Sequence, residues 1–526
     1  MLPKIVLRQS SIVINNYELG DSLRLESNFE LYDKITHSTY FKAMEYDEKN
    51  KQLILPRGID VPYLENIFDC RAVIQMKCDP FDRVSQTKIK YAPRDDVQKK
   101  AICFMNGING YEYTKNKSQL SVNLNTGKGK TYCTIFTGAY QQVRSAIITS
   151  STTWLNQWQD CIIEYTDTKS NEIYNIIGGG SIGRILNRDM DGYKFVLISH
   201  STIQAYGNKY GWDKVGELFT HLRIGFKAYD EAHLSFDNMA KIDFHTNTKM
   251  TYYITATPAR SDQEENAIFS LYFKNVPSIS LFDENNDPHT DYIAMKYSSK
   301  PSAFDITNCN TTMGFSAANY ANYVVTRPNF LKLLKIVTDM AIRNSGKNLF
   351  YVATIEAMKT IYYWIINNFP EIANEVGMFH SKVKENKEEQ LNKKIILSTV
   401  KSVGPAIDIK GLKMVVVLAQ PFKSEVTARQ TLGRTRDDNT VYIDIIDKGF
   451  KACTAYMKYK FDTYKKYAKT YNILDMSDDD LDERCRQIDN MRPKLMNCVN
   501  FGIGSICPVQ FYNKKQSTTD CVIFDK

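Results

Sequence analysis

Between about residue 120 and residue 450 the chain alternates short β-branched runs with longer amphipathic stretches, and it does so twice. Runs at 146–149, 195–199, 226–229 and 251–255 form a first series, and runs at 348–352, 394–398, 414–419 and 441–445 a second. Continuous apolar runs suit strands covered on both faces, and helix-length spacers between them suit a parallel sheet. Pro328 opens a helix with apolar positions Phe330, Leu333, Leu334, Val337 and Ala341, which closes near Gly346. The expected fold class is therefore α/β, with two similar units in tandem. Residues 1–88 read as a small, separate N-terminal α+β module and a candidate DNA-binding module. Residues 89–282 read as the first unit, 283–310 as a polar linker and 311–450 as the second unit. Residues 451–526 read as a helical extension and tail.

The segment that carries most chemistry is residues 124–131, Leu-Asn-Thr-Gly-Lys-Gly-Lys-Thr. Glycines at 127 and 129 let backbone N–H groups close around phosphate oxygens at the start of a helix, whose dipole favours anions. Thr126, Gly127, Lys128 and Gly129 form that cradle. Lys130 reaches the outer phosphates and Thr131 offers a hydroxyl to Mg²⁺. Leu124 and Asn125 stand where the strict eight-residue pattern has its first glycine, so the match is to the shorter form, Thr-Gly-x-Gly-Lys-Thr. A chance glycine turn is the rival reading of this stretch alone.

About a hundred residues later the run 226–229 ends in Asp230, Glu231, Ala232 and His233. A carboxylate at the C-terminal end of such a strand faces the crevice where ligands bind. Asp230 is the expected Mg²⁺ ligand, and Glu231 the group that orients and deprotonates the attacking water.

In this order the motifs resemble those of superfamily 2 helicases of the DEAH-box type, over roughly residues 90 to 450. Thr255-Ala-Thr257-Pro is similar to the motif that couples hydrolysis to lobe movement, which implies coupling roles for Thr255, Thr257 and His233. Residues 430–436, Gln-Thr-Leu-Gly-Arg-Thr-Arg, resemble the arginine-finger motif. The resemblance implies that Gln430 contacts nucleotide and that Arg434 and Arg436 stabilise the transferring phosphoryl group from the opposite lobe. Asp437 occupies the place of the family's second arginine, which leaves a weak or tightly gated ATPase open. Residues 399–408 resemble the motif that touches the nucleic-acid backbone and the ribose, with Asp408 as the family's Asp and Ala406 where a Gly is usual. Residues 148–158, with Gln157 and Trp158, resemble the stretch found in DNA-translocating members. Gln98 sits where such proteins place an adenine-reading glutamine.

The resemblance implies two tandem RecA-like lobes, ATP and Mg²⁺ as cofactors, and a polynucleotide held by its backbone. The candidates for that contact are Ser150, Ser151, Thr152, Ser199, His200 and Thr399. The triplet Gly178, Gly179, Gly180 reads either as a backbone-approach turn or as a plain loop. Residues 53–59, Leu-Ile-Leu-Pro-Arg-Gly-Ile, are similar to text ahead of the first lobe in XPB-like and phage UvsW-like helicases, which implies duplex or branched DNA. The expected function is an ATP-dependent DNA helicase or translocase in replication, recombination or repair. Single-stranded DNA is a further candidate substrate and RNA a less favoured one. An RNA helicase and an ATP-gated scaffold subunit stay open as alternatives.

Composition constrains the rest. A formal charge of +8 permits an anionic partner without requiring one. Eleven cysteines without a Cys-x-x-Cys pair suit reduced thiols inside a cell, either the host cytoplasm of a phage or a nucleus. No apolar run reaches membrane-spanning length, so a soluble protein is expected; the expected oligomeric state is a monomer. The Lys- and Tyr-rich segment 455–472 could stack on bases, but at helical spacing it also suits packing of the second lobe. The acidic run Asp478, Asp479, Asp480 reads as solvated loop.

Overall fold

A computed structural model describes residues 4–18, 25, 28–33, 38–75, 77–124, 127–150, 152–255, 263–281, 290–312, 314–380, 387–400, 402–403, 409–434 and 440–498. The chain divides into two compact units, Met1–Glu284 and Asn285–Lys526.

The first unit opens with β1 (Ile5–Leu7), β2 (Ser11–Asn15), the hairpin β3 (Glu30–Asp33) and β4 (Ser38–Lys42), then β5 (Glu45–Asp47), β6 (Gln52–Pro56) and β7 (Ala72–Ile74). Five of these build a mixed sheet in the order β5-β6-β2-β1-β7. The sheet is not the separate module expected from sequence. Its buried residues Ile5, Ile12 and Leu53, with Leu64 of the helix Val61–Ile67, belong to one continuous core with Tyr229, Phe236 and Tyr272 of the following domain. Gly58 explains part of the seam, because a Cβ there would lie 2.1 Å from the carbonyl oxygen of Tyr272. The Pro-Arg-Gly turn thus serves close backbone packing.

The same unit continues through β8 (Gln119–Leu124), β9 (Ser145–Thr149), β10 (Ile173–Ile176), β11 (Phe195–Ser199), β12 (Phe226–Asp230), β13 (Met250–Thr255) and β14 (Ser278–Leu281). These seven strands are parallel, in the order β10-β11-β9-β12-β13-β8-β14. Helices such as Lys130–Gln141, Thr153–Tyr165 and Phe236–His245 return the chain between them and cover the sheet. β8 eluded the periodicity reading because it alternates Gln119, Ser121 and Asn123 with apolar residues while all six positions are buried. Its polar side chains are satisfied in place: Gln119 Nε2 donates to Tyr253 Oη at 2.6 Å and Asn123 Nδ2 to Ser280 Oγ at 3.0 Å.

The second unit holds β15 (Thr290–Tyr297), a small hairpin β16 (Asn310–Thr311) and β17 (Gly314–Phe315), then β18 (Lys347–Val352), β19 (Val376–Phe379), β20 (Ile395–Ser398), β21 (Leu412–Ala419), β22 (Thr440–Asp447) and β23 (Thr470–Asp475). Seven of these form another parallel sheet, β19-β20-β18-β21-β22-β15-β23. The helix opened by Pro328 runs to Arg343 and buries the five apolar positions expected of it. β15 lies inside the stretch 283–310 expected to link the lobes. Its polar text, with Asp291 and Lys296 half-buried, hid a strand whose remaining positions are buried between β22 and β23. β23 likewise lies inside the expected helical extension and adds an edge to the same sheet. The acidic run 478–480 forms the first turn of the helix Asp478–Cys498, where carboxylates favour the helix dipole. The two lobes are thus tandem RecA-like units. Among the described residues, no helix is long and apolar enough to cross a membrane.

Candidate nucleotide site in the first unit

The phosphate-loop candidate lies between β8 and the helix Lys130–Gln141. Gly127 and Gly129 both adopt left-handed φ, 83° and 84°, and Gly129 caps the helix N-terminus. Left-handed φ favours glycine at 129, and a Cβ there would sit 2.1 Å from Gln98 Nε2 and push that side chain aside. Gln98 itself is buried, and its Oε1 accepts from the Arg94 amide at 2.8 Å. Arg94 in turn reaches the Gly127 carbonyl at 3.2 Å. Gln98, expected to read adenine, thus lies against the phosphate loop. Thr126 lies outside the described residues.

β12 is two strands from β8, with β13 between them, so the C-terminal ends of all three line one crevice. Asp230 ends β12 and is 6% exposed. Its carboxyl pKa is raised to about 6, chiefly by burial and then by the neighbouring Glu231 charge. Lys130 and the Trp158 indole act in the opposite direction. Glu231 takes a left-handed φ of 51°, a strained conformation for a residue with a side chain and one that clusters at functional sites. That turn brings its Oε1 against the Lys130 ammonium, with both side chains largely buried. His233 Nδ1 pairs with Thr255 Oγ1 at 2.7 Å, joining the ends of β12 and β13, and lies 3.5 Å from Glu231. Lys130, Asp230, Glu231, His233 and Thr255 are therefore assembled in one place. Thr131 is half-buried in the first turn of the loop helix. A buried carboxylate and a hydroxyl are hard oxygen donors that suit Mg²⁺, which keeps waters and takes phosphate oxygens for its other ligands.

The polynucleotide candidates fare differently. Ser150 is half-buried and Thr152 exposed, just ahead of the helix Thr153–Tyr165. Ser151 and Thr257 lie outside the described residues. Ser199 is fully buried and caps the helix His200–Tyr210 by accepting from the Thr202 amide. His200 is 1% exposed and stacks on Tyr229 with centroids 5.6 Å apart. Neither Ser199 nor His200 presents a surface to a ligand. Both belong to the core because the chain turns from strand to helix at a covered end of the sheet.

Burial pushes the His200 pKa down to about 3, and neither ring nitrogen has a hydrogen-bond partner among the described residues. The unfolded chain protonates this ring near 6.5, whereas the folded chain does so only near 3. The unfolded state thus binds more protons in that window, so stability is fully present above pH 6.5 and falls on acidification. The contribution is about 1.4 kcal/mol per pH unit in mid-window. Thermal melts from pH 7.5 to 4 should show a shallower acid decline for His200→Phe than for the parent chain. Parallel curves would mean that the ring is not buried.

In the second unit, Thr399 is half-buried at the end of β20 and its Oγ1 pairs with Ser402 Oγ at 2.8 Å. Arg434 is 6% exposed and its guanidinium approaches the Val403 carbonyl at 3.4 Å. Gln430 lies in the helix Glu425–Leu432. Asp408, Arg436 and Asp437 lie outside the described residues. In the Lys- and Tyr-rich helix Lys451–Tyr467, Lys460 and Tyr464 are buried, and Lys460 pairs with Asp444 at 2.7 Å. That face packs the lobe, while Lys458, Tyr459, Lys465 and Lys466 stay exposed.

Sequence reading missed two features. Trp158 Nε1 donates to Asp230 Oδ2 at 3.0 Å inside the core. A pocket of about 300 Å³ beyond β10 is lined by Tyr174, Asn175, Ile177, Ser181, Arg184 and Arg188. The Arg188 guanidinium lies over the rings of Tyr174 and Tyr193. Among the described residues, neither Arg184 nor Arg188 pairs with a carboxylate.

Residues 90–260 match the family model of the type III restriction enzyme res subunit. No curated protein sequence matches the chain. Among solved structures, S. cerevisiae Dbp5 bound to RNA and ADP BeF3 is similar over 75% of this chain and 93% of its own, at 14% identity and a TM-score of 0.50. T4 UvsW is similar over 91% of this chain and 100% of its own, at 14% identity and a TM-score of 0.32. The LlaBIII type ISP restriction-modification enzyme bound to DNA covers 79% of this chain and 33% of its own, at 14% identity and a TM-score of 0.49. Residues 90–260 are thus similar to that family, and the likeness to solved structures is one of fold.

Proposed function

We propose that the chain is an ATP-driven motor that moves on, or remodels, duplex or branched DNA. The observation that carries the reading is the cluster of Lys130, Asp230, Glu231, His233 and Thr255 beside a glycine-built phosphate loop. In this reading Lys130 holds the outer phosphates, while Thr131 and Asp230 hold Mg²⁺. Glu231 activates water, and Arg434 and Arg436 stabilise charge on the transferring phosphoryl group. His233 and Thr255 link the hydrolytic carboxylate to the end of β13. The matched family is named for a restriction enzyme, and the residues 53–59 and the Gln157, Trp158 pair resemble DNA-acting members, which favours DNA. The arginine pocket beyond β10 supports a polyanion, since two guanidiniums, one of them over the Tyr174 ring, suit phosphate and base together.

Dbp5 is an RNA-bound likeness, so RNA is the reading to test against. Steady-state ATP hydrolysis should be measured without polynucleotide and with duplex, branched and single-stranded DNA and RNA, with Lys130→Ala as control. Duplex or branched DNA is expected to stimulate most, and only in the parent chain. Preferential stimulation by RNA would overturn the DNA assignment, and no hydrolysis under any condition would overturn the motor.

A further inference from the structure

Trp158 sits on the second turn of the helix Thr153–Tyr165, on its buried face with Trp154, Leu155 and Ile162. Its indole N–H points across the sheet to Asp230 Oδ2 at 3.0 Å, and the two residues are 4% and 6% exposed. An indole N–H only donates, so it cannot exchange roles with the carboxylate. A buried donor to a charged acceptor is also among the stronger hydrogen bonds available. The bond occupies one side of Oδ2 and, together with the Glu231 backbone N–H, restrains the carboxyl group. The orientation of the Asp230 oxygens is therefore set in part from a neighbouring helix and not by the chain around β12 alone.

The helix leaves β9 at Ser150 and Thr152, the half-buried and exposed candidates for polynucleotide contact. Thr152 and Trp158 are six residues apart, about 9 Å along a helix axis. A rigid helix of this length transmits a displacement at its exposed start to its second turn.

We infer that Trp158 is a positioning residue for the metal-binding carboxylate: the indole aligns Asp230 for Mg²⁺ and ties that alignment to the exposed start of the helix Thr153–Tyr165. The inference rests on the nucleotide site of the proposed function. Groups that orient a metal ligand typically contribute 10–100-fold to metal affinity or activity. A purely structural tryptophan would instead affect folding and leave the metal dependence alone.

The test uses Trp158→Phe in the full chain, which keeps an aromatic ring and removes the donor. Binding of a fluorescent ADP analogue is titrated with Mg²⁺, and hydrolysis is measured with and without the best-stimulating polynucleotide. The half-saturating Mg²⁺ concentration is expected to rise about tenfold, with the stimulated rate falling more than the basal one. Trp158→His, which retains a ring N–H, is expected to restore part of the Mg²⁺ dependence if it folds. An unchanged Mg²⁺ dependence of binding in folded Trp158→Phe overturns the inference, whatever its turnover. Failure of every polynucleotide to stimulate the parent chain would instead sink the proposed function, and the binding titration would still decide the role of Trp158.

Discussion

Glu231→Gln is expected to lower ATP turnover about 10²–10⁴-fold, the usual contribution of a positioned general base, while MgATP binding changes little. Gln keeps the size and hydrogen-bonding reach of the side chain but cannot take a proton from water. Glu231 is held by a left-handed backbone turn directly after β12, against the Lys130 ammonium and 3.5 Å from His233. Its geometry is therefore imposed by the fold rather than by the charge being removed. Losing the pair with Lys130 leaves the ammonium more available to phosphate, so nucleotide affinity should hold or rise. The check is a turnover number beside a direct binding isotherm for the same preparation. A variant that binds ATP normally and hydrolyses it within threefold of the parent would remove Glu231 from the chemistry.

Much of the site was legible because its residues work through local rules. A glycine pair before Lys-Thr needs only a turn and a helix start, and Asp-Glu at a strand end needs only the sheet. Motif order gave His233 and Thr255 coupling roles, and the structure adds the contact between them. What escaped the sequence is long-range. Gln98 looks like a ligand-reading residue, yet its position against Gly129 depends on how the helix Asp96–Asn106 packs. Ser199 and His200 carry polar labels in a strand-to-helix turn, and nothing local says that the turn is covered. Trp158 was visible only as half of a familiar pair, since a contact spanning 72 residues leaves no periodic trace. β8 and β15 were obscured for the opposite reason. Their polar residues suggest exposure, but cross-strand partners satisfy them or place them at half-buried positions.

The largest stability effect is expected not at the nucleotide site but at Lys227→Met. Lys227 and Asp243 form an ion pair at 2.7 Å with both side chains fully buried, and Lys227 Nζ also donates to Thr246 Oγ1 at 2.7 Å. Asp243 further accepts from Tyr229 at 2.8 Å and from Tyr253 and Tyr272 at 2.6 Å each. Desolvation pulls the Lys227 pKa down, while Asp243 opposes it. Methionine approximates the volume of the lysine stem, so the change removes the cation without opening a large cavity. It leaves a carboxylate in the core whose remaining donors among the described residues are neutral tyrosine hydroxyls, a loss of about 3–5 kcal/mol for a broken buried pair. For a domain of this size that is a drop in Tm of roughly 6–20 °C. The N-terminal sheet docks on the same turn, since Ser10 Oγ donates to the carbonyls of Asp243 and Thr246, and the Gln9 amide to Asn247 Oδ1. Loosening the pair should therefore release that sheet together with the lobe, giving one melting transition that moves as a whole. A fall in Tm below about 2 °C would mean that the tyrosine hydroxyls alone satisfy Asp243, and a split transition would mean that the sheet folds apart from the lobe.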